Sequence, residues 1–228
     1  MMTKVYYTQM IPIHPRVYRT WMDGLHEEKR RRTEGQKGQR QLAALFGDRL
    51  LRYAWQQHFG MDAPFPSIVE DEKGKPSFSQ YPGHHFNISH SGAVVVVAVS
   101  PHPVGVDVEM LRSPKDRVAQ RMFSQEEYEG YLEATDKERR FFQLWTLKES
   151  YAKCLGEGIR MDFKRISFSI TTDGIGANVP RHFQLFEDIP GYQAAVCYEM
   201  EGALWEHVSP AQIIPAEGDT KPLGDAIL

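Results

Sequence analysis

Asp107 and Glu109 stand two residues apart in the stretch Val104-Gly105-Val106-Asp107-Val108-Glu109. Apolar and other residues alternate strictly there, which is the period of a half-buried β-strand. That period puts Val104, Val106 and Val108 on one face, with Gly105, Asp107 and Glu109 on the other. Two carboxylates about 7 Å apart along one face repel each other unless something positive sits between them. A hard divalent cation answers that need, since Mg²⁺ takes one or two carboxylates, some water and substrate phosphates. An exposed strand edge carrying two solvated acids is the competing account.

Other residues offer chemistry with ordinary alternatives beside it. Glu149 and Lys153 lie four apart on a helical pattern and share a face; without more, they are a surface ion pair of a few tenths of a kcal/mol. Ser124-Gln125-Glu126-Glu127 has the form of a capping box, which accounts for Glu127 structurally. His84, His85 and His90 cluster, but their spacing matches no zinc pattern. His26-Glu27-Glu28-Lys29-Arg30-Arg31-Arg32 is a helical charge run, either a solvated face or an anion-binding patch near one end of a cleft.

The elements that must position these residues follow from periodicity. Val5 to Ile13 reads as a strand broken by Pro12 and Pro15. Gln41 to Phe59 is helical, with Leu42, Leu45, Phe46, Leu50, Tyr53 and Ala54 on one face and Gly60 as C-cap. Asp71 to Pro76 forms a turn. His85 to Gly92 then leads into Ala93 to Val99, a strand apolar on both faces and so central. A long helix is expected from about Asp136 to Leu155, closed by Gly156, with Phe141, Leu144, Trp145, Ala152 and Leu155 as its buried stripe. Ile166 to Thr171, Gln184 to Phe186 and Tyr192 to Tyr198 read as strands. The order of a helix followed by an apolar strand occurs twice, so two similar halves are expected: 1–103, and 104–208 with the acidic strand. A polar tail from 209 to 228 would follow. Such halves place a cleft at their seam.

The 228 residues are 41% hydrophobic and 25% charged, ordinary values for a globular protein with a real core. A net charge of −3 argues against a general nucleic-acid binder. Cys154 and Cys197 have neither metal-ligand spacing nor a disulfide framework, which points to a reducing, cytoplasmic compartment. The N-terminus lacks a signal-peptide core, and no apolar run is long enough to span a membrane.

Four motifs in order carry a family resemblance. Gly105-Val106-Asp107-Val108-Glu109 meets the pattern of glycine, isoleucine or valine, aspartate, isoleucine or valine, and glutamate. Trp145-Thr146-Leu147-Lys148-Glu149-Ser150-Tyr151-Ala152-Lys153 meets the tryptophan-to-lysine pattern that follows it. Gly74-Lys75-Pro76 and Phe86-Asn87-Ile88-Ser89-His90-Ser91 precede both. From about Lys73 to Gly158 the chain resembles the 4′-phosphopantetheinyl transferases of the larger, surfactin type.

The resemblance implies an α+β, pseudo-twofold fold, each half a small sheet packed on a long helix. It implies transfer of the phosphopantetheine arm of coenzyme A to a serine of an apo acyl or peptidyl carrier protein, with release of adenosine 3′,5′-bisphosphate. Asp107, Glu109 and Glu149 would hold Mg²⁺. Lys153 would contact the phosphates, and Glu149 would accept the serine proton. Lys75, Ser89 and His90 would bind the nucleotide end of coenzyme A, and Glu127 would sit near the metal. The arginine that many members carry in the first long helix is Ala43 here. Arg40, one turn earlier, would substitute, and Lys29 and Arg32 match basic positions loosely. The basic stretch Lys115 to Arg121 would steer an acidic carrier. The pseudo-symmetry predicts a monomer. A protein that binds coenzyme A or a carrier without turnover, and a metal-dependent phosphodiesterase, are the alternative readings.

Overall fold

The computed structural model describes residues 2–60, 65–158, 161–200 and 202–214. The elements in chain order are β1 (Thr3–Gln9), α1 (Pro15–Asp23), α2 (Glu27–Glu34), α3 (Gln39–Phe59), β2 (Ile68–Glu70), β3 (Pro76–Phe78), β4 (His85–Ser91) and β5 (Val94–Ser100). There follow β6 (Gly105–Met110), α4 (Asp116–Met122), α5 (Gln125–Glu133), α6 (Lys137–Leu155), β7 (Phe168–Thr171), β8 (Gly174–Ala177), β9 (His182–Phe186), β10 (Tyr192–Tyr198), β11 (Ala203–His207) and α7 (Pro210–Ile213).

The two long helices end as their glycines require. Gly60 closes α3 at φ 61° and Gly156 closes α6 at φ 72°, both in the left-handed region that a Cβ disfavours. The expected duplication is present as topology. Each half runs strand, long helix, strand, strand, and each sheet orders its strands first, last, second: β1-β5-β4 and β6-β10-β9. All these pairings are antiparallel.

Side-chain alternation then builds the layers. Val95, Val97 and Val99 of β5 enter the core against α3, while Val94, Val96 and Ala98 enter a second core with Val104, Val106 and Val108. That second core lies between the two sheets. The far face of the second sheet packs on α6, with Leu144, Leu147 and Ala195 among the buried residues. The order is helix, sheet, sheet, helix, an α+β protein of two similar halves.

Three expectations need correction. The first strand stops at Gln9 rather than Ile13, because its partner β5 begins at Val94, opposite Gln9. The halves do not divide cleanly at 103 and 208. β11 leaves the second half and pairs in parallel with β1 of the first. The segment from Ser209 also begins as a helix. Ser209 and Gln212 form a capping box on α7, and Ile213 is buried in the first core. Residues 215–228 of the expected tail lie outside the described residues.

Candidate active site

The candidate site lies where β4, an edge strand of the first sheet, meets β6, an edge strand of the second. Gly105 is a contact requirement: a Cβ there would collide with the Ser150 carbonyl and the Cys154 amide of α6. The helix therefore lies directly on β6, bringing Glu149 and Lys153 over Asp107. The valines of β6 point the other way, into the core between the sheets.

Asp107 is buried, at 4% exposure. Its Oδ1 accepts from Lys153 Nζ at 2.6 Å and Ser89 Oγ at 2.9 Å. Its Oδ2 is buried with no hydrogen-bond partner. Burial raises its pKa despite Lys153. Glu109 Oε2 accepts from Ser91 Oγ at 3.0 Å and Arg112 Nη1 at 3.1 Å. The Glu149 carboxyl is also pushed up, first by burial and then by Asp107, with Lys153 opposing and Glu109 adding to the rise. No three His, Cys, Asp or Glu side chains among the described residues close on a common point as a ready metal ligand set. The fit to a hard cation is one of charge and donor type. Asp107 and Glu109 of β6 are near enough to Glu149 of α6 to raise its pKa, and a buried oxygen of Asp107 is orphaned.

The pleat of β4 separates two residues expected to act together. Ser89 faces β6 and His90 faces α3, as strand neighbours must. Ser89 Oγ accepts from Lys153 Nζ at 2.9 Å and Val108 N–H at 3.4 Å, and donates to Asp107. With both lone pairs and its proton engaged, it is fully satisfied within the protein. His90 stands exposed at the rim. Its pKa is lowered by the surrounding protein and by Lys153 and Arg40, which places three cationic or basic groups at one end of the seam. Arg40 is exposed on α3, while Ala43 is buried at 2% exposure.

Lys75 does not reach that group. Its ammonium donates to the Cys154 carbonyl at the C-terminus of α6, and its aliphatic chain lies against Gly156. It clamps a helix end, where positive charge is favoured. Lys29 pairs with Asp48 at 3.1 Å, and Arg52 holds the same carboxylate at 2.7 Å. Against the cost of burial, these cations hold Asp48 below its ordinary pKa. Lys29 lines a cavity of about 400 Å³ with Arg32, Arg52, Phe65, Pro76 and Ile88. Ile88 shares a face of β4 with His90.

Glu127 has the structural role that its capping-box motif implies. Its capping box with Ser124 is present. It also accepts from Phe168 N–H at 2.9 Å and pairs with Lys148 at 2.7 Å, both side chains 1% exposed. Lys148 further donates to the carbonyls of Phe163 and Ile166. The site residues that sequence reasoning passed over are Asn87, Ser91 and Arg112. Asn87, Ser89 and Ser91 alternate at a period of two, the signal that would have marked β4 as a strand with a polar face.

A sequence profile of the 4′-phosphopantetheinyl transferase superfamily matches residues 103–197. The 4′-phosphopantetheinyl transferase Sfp of Bacillus subtilis (strain 168) is 34% identical over 162 residues, covering 67% of this chain and 72% of its own. The 4′-phosphopantetheinyl transferase psf-1 of Bacillus pumilus is 35% identical over 174 residues, 72% of this chain and 73% of its own. The L-aminoadipate-semialdehyde dehydrogenase-phosphopantetheinyl transferase of Mus musculus is 28% identical over 145 residues, 57% and 47% of the two chains. With an α+β fold and an acidic seam facing a helix lysine, the molecule has the make-up of a group-transfer enzyme. The chain belongs to the 4′-phosphopantetheinyl transferase family.

Proposed function

We propose that this enzyme moves the phosphopantetheine arm of coenzyme A onto a serine of an apo acyl or peptidyl carrier protein at the seam between β4 and β6. The observation that carries the reading is Asp107, buried with one oxygen tied to Lys153 and the other bare, beside Glu109 and Glu149. Asp107, Glu109 and Glu149 would hold Mg²⁺, which when bound supplies Lewis acidity and charge neutralisation at the pyrophosphate.

The protein's own part is to place charge and move a proton. The carrier serine oxygen bonds to the phosphorus that bears pantetheine, the pyrophosphate bond to the nucleotide breaks, and adenosine 3′,5′-bisphosphate leaves. Lys153, at the seam, is placed to take charge developing on the phosphates. Glu149, beside Asp107 and Lys153, takes the serine proton directly or through water. His90 and Arg40 at the rim, with Lys29 on the neighbouring cavity wall, take the nucleotide end of coenzyme A. Lys75 and Ser89 are also proposed for that end; in the free protein Lys75 rests on the Cys154 carbonyl, Ser89 on Asp107, and Lys29 on Asp48. The exposed Lys115, Arg117 and Arg121, in α4 and at its N-cap, suit an acidic carrier.

A cytoplasmic monomer is the setting we propose. Both cysteines are free and buried, and each chain carries both sides of its seam. Among the described residues no helix is long and apolar enough to cross a membrane. The test is to incubate the protein with coenzyme A, Mg²⁺ and an apo carrier, then weigh the carrier. A gain of one phosphopantetheine, abolished by a chelator, is expected. An unchanged carrier mass leaves a binding protein without turnover.

A further inference from the structure

Strands β4 and β6 meet without a backbone ladder between them. Side chains of β4 take its place. Val106 N–H donates to Asn87 Oδ1 at 2.9 Å, Val108 N–H to Ser89 Oγ at 3.4 Å, and Met110 N–H to Ser91 Oγ at 3.1 Å. Three alternate residues of one strand thus satisfy three alternate amides of the other.

The two serines do more than the asparagine. A serine hydroxyl has one proton and two lone pairs. The Met110 amide occupies a lone pair of Ser91, and the proton goes to Glu109 Oε2 at 3.0 Å. Ser89 does the same for Asp107 Oδ1. Each serine therefore ties one oxygen of one carboxylate. The other oxygens, Asp107 Oδ2 and Glu109 Oε1, have no protein partner among the described residues.

We propose that Ser91 is a positioning residue for Glu109. Its hydroxyl, with Arg112 on the same oxygen, fixes the carboxylate so that Oε1 is the atom left to ligate a divalent cation. This rests on the cation reading above. Asn87 is the internal control, because it straps the seam through one amide and touches neither carboxylate.

The experiment measures Mn²⁺ affinity of the complex with coenzyme A by electron paramagnetic resonance, with thermal melts on the same samples. Wild type, Ser91→Ala, Ser91→Thr and Asn87→Ala are compared. Ser91→Ala is expected to weaken Mn²⁺ binding about tenfold, as loss of an outer-shell partner does. Ser91→Thr, which keeps the hydroxyl, restores most of that loss, and Asn87→Ala lowers the melting temperature while leaving the affinity alone. If Asn87→Ala does not fold, the two Ser91 variants decide alone. Wild-type affinity in Ser91→Ala, or equal weakening in Ser91→Ala and Asn87→Ala, overturns the proposal and leaves Ser91 a seam strap. A wild type that takes up no Mn²⁺ overturns the cation reading itself, and this inference with it.

Discussion

The pseudo-twofold arrangement offers two related seams, and the chain treats them differently. At one, β4 meets β6 through asparagine and serine side chains, beneath three carboxylates and Lys153. At the other, between β1 and β9, the chain inserts β11. Its backbone pairs with β1, and Trp205 stacks on Tyr7 at 4.8 Å and on Phe186 of β9 at 4.1 Å. The second seam is closed by a ladder and an aromatic stack. The first is left without a ladder, so its polar groups are free to hold charge. One fold repeated twice leaves one open seam because β11 seals the other. Charge sits where backbone pairing was given up, and aromatic area sits where it was added.

The comparison predicts effects of different kinds. Asp107→Asn and Glu109→Gln keep shape and remove charge. Each should lower carrier loading more than about 100-fold while the protein stays folded, because a ligand matters more than its outer-shell partner. Loading rates and melts on the same samples check this; wild-type rates at low Mg²⁺ would erase the difference between the seams.

Glu127→Ala tests whether an acid away from the polar seam behaves structurally. It leaves Lys148 buried without its partner, which costs about 3–5 kcal/mol. Denaturant melts should show that loss, and the Mg²⁺ dependence of the folded enzyme should not move. A shifted Mg²⁺ dependence with unchanged stability would return Glu127 to the metal.

Trp205→Ala probes the sealed seam. A half-buried tryptophan stacked on both sides should cost about 3 kcal/mol when truncated. The folded fraction should load carrier at the wild-type rate, and a rate that falls as far as in Asp107→Asn would show the seams to be coupled.

On stability, Glu149→Gln gives the smallest effect and the opposite sign. Burial and two neighbouring carboxylates raise its folded pKa above the ordinary 4.5. The folded state therefore binds the proton more tightly than the unfolded state, and its stability falls as pH rises from about 4.5 through the raised value. Without metal, Glu149→Gln should melt higher than wild type at neutral pH, and the gain should vanish below pH 4.5. A lower melting temperature at neutral pH would contradict that electrostatic picture.

Much of this could be read from residues. The helices α3 and α6, their glycine caps and the two-faced burial of β5 follow from periods that local packing enforces. So do the opposed faces of β6, since the pleat leaves no other choice. What escaped depends on contacts between distant residues. Lys75 reaches the carbonyl of Cys154 at the end of α6, and no local pattern announces a contact across that separation. The capping box fixed one oxygen of Glu127, but Lys148 and the Phe168 amide come from elsewhere in the chain. Ser89 and His90 are adjacent in one motif, and only the pairing of β4 shows that they stand on opposite faces. The return of β11 to the first sheet has no signature in its own short sequence.

The central claim is that the carboxylates of the open seam hold the cation. Calorimetric titration of Mg²⁺ into the complex with coenzyme A, for wild type and Asp107→Asn side by side, tests it most directly. The account predicts saturable binding in wild type and its loss in Asp107→Asn, with both proteins equally folded. Undiminished Mg²⁺ affinity in Asp107→Asn would contradict it.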